Sequence, residues 1–515
     1  MTMVGRQPRE GNEPQAAEEE QSSSLREVGR ARTGAEMSAN AVVTPAESAE
    51  QRSAAKGKAA DRDTSPAQDG NDVHTYIERL GQRAARNKEE QFNNLLSHIK
   101  VPLLKEAYMR LKKRAAAGVD GETWDSYGQD LDAKLLNLQD RVHRGSYHPQ
   151  PVRRVHIPKP DGRTRPLGIP VLEDKVVQQA VRMLLEPIYE TQFLGLSYGF
   201  RPGRSQHDAL DALFVAMHAK VDWVLDADIH AFFDTIDHEW MRRFIEHRIA
   251  DKRLVRLLMK WLHAGVMEEG KVYETEQGTP QGGIISPLLA NVYLHYAVDL
   301  WAHDWRKKHV RGEVYLVRYA DDLVMGFQYE TDVRAMRKAL AERLAKFGLQ
   351  LHPDKTRVLR FGRFAHRDCV HEGRQRPETF DFLGFTHICG QGPDGQFRLI
   401  RRTSRKKRRA KLAALRGEMR KRTHDPPAEQ QRWLSSVLRG HYNYYGVLGN
   451  FRALASFRAQ VRSAWHRRLQ RRSQRAKWTA GKRETFDAKY QLPLPRITHL
   501  HPFDRFRATH ALPWT

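Results

Sequence analysis

Val314-Tyr315-Leu316-Val317-Arg318-Tyr319-Ala320-Asp321-Asp322-Leu323-Val324-Met325-Gly326-Phe327 is an apolar run broken in the middle by two adjacent carboxylates. Branched and aromatic residues on both arms predict strand, turn, strand, with Asp321 and Asp322 at the bend. Acidic pairs in turns are commonly solvated and structural. Here continuously apolar flanks put the turn on a buried hairpin, where two neighbouring unpaired carboxylates are costly. A third carboxylate waits upstream. In Asp222-Trp223-Val224-Leu225-Asp226-Ala227-Asp228-Ile229, alternation puts Trp223, Leu225, Ala227 and Ile229 on one face of a strand, and Val224, Asp226 and Asp228 on the other. Three carboxylates converging on one point are tolerated if divalent cations neutralise them.

The rest of the composition supplies a partner for such a site. The chain has 515 residues, with 87 Lys+Arg against 62 Asp+Glu, a formal charge of +25. That excess points to a polyanion, most directly nucleic acid. A membrane surface fits less well, because no apolar run approaches the roughly 18 residues needed to span a bilayer. Only Cys369 and Cys389 are present, which excludes a disulfide framework and a Cys-rich zinc module and suits a reducing compartment. The N-terminus has neither the apolar core of a signal peptide nor the acid-poor character of a transit peptide.

Outward from the hairpin, the chain divides by composition. Residues 1–70 are poor in aromatic and branched residues and read as a disordered tail. Residues 71–150 carry helical periodicity, as in Phe92, Leu95, Leu96 and Ile99. Residues 151–390 hold the strands. There, His156 to Pro170 forms two extended arms about an Asp161-Gly162 turn. Lys159 and Arg165 lie on opposite arms and either face solvent as ordinary surface cations or reach one anion, such as a triphosphate. Ser197 to Ser205 is a turn-rich loop whose aromatics and arginines, Arg201 and Arg204 among them, suit a nucleic-acid strand. Gln277 to Pro287 is glycine-rich, permitting close backbone approach to a ligand. The two central strands and the helices between them predict a βαββαβ-like antiparallel sheet with helices on one face. From 391 to 515 the chain turns basic. Arg401 to Arg409 predicts the start of a cationic helix apt for phosphate contacts, including Arg401, Arg402, Lys406, Lys407 and Arg408, with a solvated face as the alternative. Tyr444 and Tyr445 follow in a block of interleaved aromatic and polar residues.

The carboxylates are hard oxygen ligands of the kind Mg²⁺ takes where it also holds substrate phosphates. Two such ions about 4 Å apart can activate a 3′-hydroxyl and stabilise a leaving pyrophosphate. Lys159 and Arg165 would then hold a triphosphate, and the ring of Phe233 would test the sugar's 2′ position.

Several motifs together resemble the reverse transcriptases encoded by bacterial group II introns: Tyr319-Ala320-Asp321-Asp322, Asp228-Ile229-His230-Ala231-Phe232-Phe233-Asp234, Gly278-Thr279-Pro280-Gln281-Gly282-Gly283, and Ile157-Pro158-Lys159 through Gly168-Ile169-Pro170. Phe382-Leu383-Gly384-Phe385 matches too, and Gly440-His441-Tyr442-Asn443-Tyr444-Tyr445-Gly446 with Leu492-Pro493-Leu494-Pro495-Arg496 is similar to the family's maturase (thumb) region. The resemblance spans roughly residues 75–510. It implies an α+β right-hand polymerase, with fingers and palm built on antiparallel sheet and followed by a helical thumb/maturase domain. It implies RNA-directed DNA synthesis with two Mg²⁺ ions and assistance to intron splicing and mobility. Asp228, Asp321 and Asp322 take the place of the catalytic carboxylates, with Ile229 joining them as a metal ligand. Lys159, Arg165, Phe233, Gln281 and Lys355 take the place of substrate contacts. The implied partners are intron RNA, an RNA template, a DNA primer or target and dNTPs, without a membrane, and a homodimer is compatible with it. The implied location is the bacterial cytoplasm, at the nucleoid. Many members add a Cys-containing endonuclease; with both cysteines before residue 400, none is expected here.

Rival readings are a retron-like or diversity-generating reverse transcriptase, which would lack the maturase-like block, and a splicing factor with a decayed polymerase site, whose carboxylates should have been lost. A basic nucleic-acid-binding protein without catalysis leaves the buried carboxylates unexplained.

Overall fold

In the computed structural model, the strand expected at 222–229 runs Trp223–Asp228 and lies inside a four-stranded antiparallel sheet. The model describes residues 68–158, 164–268, 271–273, 278, 282–472 and 478–509. The expected tail at 1–70 therefore falls almost wholly outside the described residues. So do two of the expected site residues, Lys159 and Gln281.

In chain order the strands are β1 (Val152–Pro158), β2 (Thr164–Ile169), β3 (Trp223–Asp228), β4 (Val266–Glu268), β5 (Lys271–Tyr273), β6 (Val314–Tyr319), β7 (Asp322–Phe327), β8 (Arg357–Arg360), β9 (Thr379–Phe382), β10 (Phe385–Gln391) and β11 (Phe397–Thr403). The central sheet has the order β6-β7-β3-β8. Alternation sorts its side chains in two. Leu225, Ala227, Leu316, Leu323, Met325 and Phe327 enter one hydrophobic core, and Val224, Tyr315, Val317 and Val324 enter another. Helices therefore cover both faces rather than one. Helices Leu172–Glu190, Ser286–Leu294 and Glu330–Ala345 contribute to the first core, and helix Gln206–His218 to the second. The reason is visible in β6, whose first five residues are all buried; a strand apolar on both sides needs two covers. Helix Gln206–His218 is started by a reciprocal cap, in which the Ser205 hydroxyl accepts from the Asp208 N–H and the Asp208 carboxylate accepts from the Ser205 N–H.

The second sheet has the order β2-β1-β4-β5. The expected β1–β2 hairpin pairs antiparallel, Ile157 opposite Arg165, and β1 also pairs parallel with β4.

The third sheet, β11-β10-β9, corrects the expected cationic helix from Arg401 to Arg409. β11 continues to Thr403, with Leu399, Arg401 and Thr403 facing inward on a period of two, and the helix begins at Arg405. This sheet also spans the domain boundary expected at 390. Three helices follow, Arg405–Lys421, Pro427–Tyr445 and Phe451–Gln470, around a core of Leu412, Leu415, Leu434, Leu438, Leu454, Phe457 and Trp465. Trp465 is fully buried and its indole N–H donates to Gln430 Oε1 at 2.7 Å, which satisfies its one polar atom. Among the described residues, no helix is long and apolar enough to cross a membrane.

Candidate active site

Register brings the carboxylates together. Asp228, the last residue of β3, lies opposite Asp322, the first of β7, and Asp322 in turn lies opposite Tyr319 on β6. Directly paired residues share a face of the sheet, so the Asp228 and Asp322 side chains rise side by side. Ala320 and Asp321 form the two-residue turn. Ala320 has φ +56°, a left-handed conformation uncommon for a residue with a Cβ.

Neighbouring backbone and one buried ion pair hold that turn. A Cβ on Gly199 would lie 2.4 Å from the Ala320 nitrogen, so only glycine lets the 197–204 loop press against the turn. Tyr198 N–H donates to the Arg318 carbonyl and Arg318 N–H to the Leu196 carbonyl, both at 2.9 Å. The Arg318 side chain is 1% exposed. Its Nε donates to Asp299 Oδ1 at 2.7 Å, and its Nη1 donates to Asn291 Oδ1 at 3.0 Å and to the Ala320 carbonyl at 2.9 Å. Asn291 Nδ2 donates to the Gly199 carbonyl at 2.7 Å, closing the network. Asp299 is the last residue of a π-helical turn, His295–Asp299, between helices Ser286–Leu294 and Leu300–His309.

The charges around the hairpin are unequal. Burial and then the neighbouring Asp228 raise the Asp321 carboxyl above the usual range, opposed by Arg165 and Lys355. Asp322 is pushed up to about 7 by burial, then by Asp321, Asp228 and Asp226, opposed by Lys355. Asp322 is nonetheless an exposed residue. Lys355 Nζ lies 2.6 Å from Asp228 Oδ2, and the Asp228 carbonyl accepts from the His352 N–H at 2.7 Å. Asp226 is raised by burial and pairs with Arg357 at 3.3 Å.

The donor set fits a divalent cation: hard oxygens, with too much negative charge for the cations nearby. Asp228, Asp321 and Asp322 would hold it, with Ile229 directly after Asp228. Among the described residues, no three carboxylates, imidazoles or thiols already enclose a metal-sized point, and Lys355 rests on Asp228.

The remaining expected contacts divide. Arg165 stands on β2, and its charge acts on Asp321. Phe233 is half-buried in the short helix Phe232–Thr235, and a Cβ on Gly278 would lie 2.8 Å from its carbonyl oxygen. A Cβ on Gly282 would lie 2.3 Å from the Gly168 carbonyl oxygen. The glycine-rich loop thus touches both the β2 arm and the turn after β3.

Three of the expected nucleic-acid contacts have partners inside the protein. Arg201 is buried, paired with Glu190 at 2.6 Å, and donates to the Leu194 and Ser197 carbonyls. Arg204 is half-buried, with Nη1 on the Gly195 carbonyl at 2.8 Å and its guanidinium over the Tyr198 ring. Arg401 is buried against Asp211 at 3.1 Å. Each satisfies an internal acceptor, which composition alone cannot distinguish from a surface cation. Arg402, Lys406 and Lys407 are exposed and Arg408 is half-buried. Tyr444 and Tyr445 are half-buried, the Tyr444 hydroxyl donating to the Leu383 carbonyl at 2.9 Å and Tyr445 lying beside Gly384. They fasten the helical region to the β9–β10 turn. The sequence reading missed Arg318, Asn291 and Asp299. Their one signal is polarity inside runs that are otherwise apolar.

Residues 157–387 match the family described as reverse transcriptase (RNA-dependent DNA polymerase). Protein YkfC of Escherichia coli (strain K12) is 33% identical over 373 residues, covering 65% of this chain and 94% of YkfC. The group II intron-encoded protein LtrA of Lactococcus lactis subsp. cremoris is 40% identical over 221 residues, 42% of this chain and 37% of LtrA. A putative COX1/OXI3 intron 1 protein of Saccharomyces cerevisiae is 28% identical over 321 residues, 53% of this chain and 38% of that protein. The chain thus spans little more than a third of the two intron proteins, but nearly all of YkfC. The family match also runs across β3 and the β6–β7 hairpin. On these grounds the chain belongs to the group II intron reverse transcriptases and is an RNA-directed DNA polymerase.

Proposed function

We propose that Asp228, Asp321 and Asp322 form the centre where an incoming dNTP is joined to a primer 3′ end, with two Mg²⁺ ions as cofactors. The observation that carries this is the register pairing of Asp228 with Asp322, with Asp321 in the turn between β6 and β7. Divalent cations bound there would supply activation of the 3′-hydroxyl and stabilisation of the leaving pyrophosphate. The protein contributes position and charge. The Arg318 network fixes the turn that presents Asp321 and Asp322, and Arg165, already within electrostatic reach of Asp321, would hold the triphosphate together with Lys159. Lys355 neutralises Asp228 in the free protein and would move to substrate phosphate when cations take its place. Phe233 would exclude a 2′-hydroxyl. On this reading the β1–β2 sheet is the fingers, the β6-β7-β3-β8 sheet the palm, and the helices from 405 onward the thumb.

The intron names of LtrA and the yeast protein support a second activity, binding of intron RNA through the basic helical region, with assistance to its splicing and mobility at the bacterial nucleoid. Primer extension with Mg²⁺, an RNA template and a DNA primer tests the first activity. The wild-type protein is expected to make cDNA. Asp321→Ala is expected to make less than about one-thousandth as much while holding RNA within about twofold of wild type. Sustained synthesis by Asp321→Ala, with its circular dichroism unchanged, would remove the site assignment.

A further inference from the structure

Several arginines of this chain are matched to carboxylates, as in Arg141–Glu173, Arg201–Glu190, Arg318–Asp299 and Arg401–Asp211. Five that are not lie together. Arg416, Arg420, Arg467, Arg468 and Arg471 line a single cavity of about 120 Å³ between helices Arg405–Lys421 and Phe451–Gln470. Helical spacing places them there. Arg416 and Arg420 are one turn apart, as are Arg467 and Arg471, so each set shares a face. Buried Met419 and Ala464 complete the lining. Among the described residues, no carboxylate pairs with any of the five guanidinium groups.

The simple alternative is that these cations serve the helix ends. Both helices do finish here, and a helix C-terminus carries roughly half a negative charge. Two ends offset about one positive charge. Five guanidinium groups exceed that by about four charges around one concavity, with Arg468 half-buried and the other four exposed to solvent. A bound anion would offset that excess. The cavity is several times the roughly 10–15 Å³ that a single water needs, which leaves room for a phosphate group. The lining side chains include no carboxylate, amide or hydroxyl and no aromatic ring, so they suit a backbone phosphate rather than a base edge.

We propose that this cavity binds a phosphodiester of a nucleic-acid strand, its guanidinium forks engaging the phosphate oxygens. The proposal rests on the nucleic-acid reading above and assigns it a specific place in the helical region, at the far end of helix Arg405–Lys421 from the cations that follow β11.

The test uses the full chain. Binding of a labelled single-stranded RNA, of the DNA of the same sequence, and of phosphatidylglycerol vesicles is measured across a series of salt concentrations. The triple variant Arg420→Gln/Arg467→Gln/Arg471→Gln is expected to lower the slope of log affinity against log salt by about two, at about 0.7 per phosphate contact on a single strand. It should also weaken RNA binding roughly tenfold or more. A control, Arg432→Gln/Arg439→Gln/Arg452→Gln, removes the same charge from exposed positions outside the cavity and should lower the slope by less than half as much. The corresponding Arg→Lys triple variant at the cavity should keep the slope and lose part of the affinity, because an ammonium cannot form the fork. An equal effect of the cavity and control variants overturns the proposal, as does a loss confined to vesicles. A matching loss with DNA places a generic strand there, and a loss specific to RNA places RNA. If the glutamine triple variant unfolds, Arg471→Gln alone, with an expected slope change of about 0.7, decides the matter. Wild-type primer extension is run beside these measurements. If it fails, the polymerase reading fails; if it succeeds and cavity variants bind as wild type, only the cavity assignment falls.

Discussion

Arg318→Met removes the guanidinium that ties the Asp321-Asp322 hairpin to the helices beneath it. The Asp299 carboxylate is then left at 0% exposure without a cation. Breaking a buried pair from one side costs about 3–5 kcal/mol, and losing the bond to the Ala320 carbonyl adds about 1 kcal/mol. Urea titration should therefore show a loss of about 4–6 kcal/mol for the part of the chain carrying this sheet. Adding Asp299→Leu removes the orphaned charge. Replacing both members of a buried pair by apolar residues is often near neutral, so Arg318→Met/Asp299→Leu should recover most of the stability. It does not recover the grip on the turn, because Nη1 is still absent from the Ala320 carbonyl. A displacement on the order of 1 Å at the reacting groups can cost about a hundredfold in rate. The double variant should thus be nearly as stable as wild type yet extend primers roughly a hundredfold more slowly at saturating dNTP. If activity returns together with stability, the guanidinium serves folding only and the positioning argument is refuted. If Arg318→Met alone is as stable as wild type, the ion pair has been misread.

Asp322 sets a pH dependence. Its folded-state carboxyl titrates at about 7, against about 4 for an unfolded aspartate. The folded chain therefore holds a proton that the unfolded chain has released, so without divalent cations stability should fall as pH rises from about 4 through 7. Thermal melts in EDTA should show this decline, Asp322→Asn should flatten it, and Mg²⁺ should restore wild-type stability at the alkaline end; a wild-type profile as flat as that of Asp322→Asn would contradict the crowding of the carboxylates. Gly282→Ala puts a Cβ 2.3 Å from the Gly168 carbonyl oxygen on a backbone at φ +123°. Primer extension should drop at least about tenfold, with about 1–3 kcal/mol of local strain, and wild-type rates would show that the loop does not need this approach. Phe233→Ala should raise ribonucleotide incorporation relative to dNTP roughly tenfold or more in single-nucleotide assays; unchanged discrimination would relocate the sugar check.

The Asp321-Asp322 hairpin was legible because β6 and β7 are apolar on both sides of one acidic pair, and β3 because its alternation strands Asp228 on the same face as Val224. These are local patterns. The partners of Arg318 were not legible, since Asn291 and Asp299 come from another helix and only the packed chain brings them near. The same physics explains the errors at Arg201 and Arg401. A net charge of +25 says that unpaired cations exist and is silent about which ones, because pairing with Glu190 or Asp211 depends on distant segments. β11 was hidden by its own arginines, whose period of two shows only when inward Leu399, Arg401 and Thr403 are separated from outward Arg398 and Arg402. The helices on the second face follow from a simpler pattern: Val314 to Val317 is apolar at every position, so both faces of that strand need a cover, whereas the alternation of β3 points to one.

The π-helical turn at His295–Asp299 makes chain length at this point part of the site. Each residue of an α-helix advances the direction of the next by about 100°, so the wider turn acts as a rotational spacer that aims Asp299 at Arg318. Removing a single residue such as Ala297 would let the segment relax into regular helix, and the side chains of the turn itself would be re-aimed. Asp299, the last residue of the turn, would lose its aim at Arg318. Homologous sequences aligned through this segment should therefore vary in residue type more readily than in residue count.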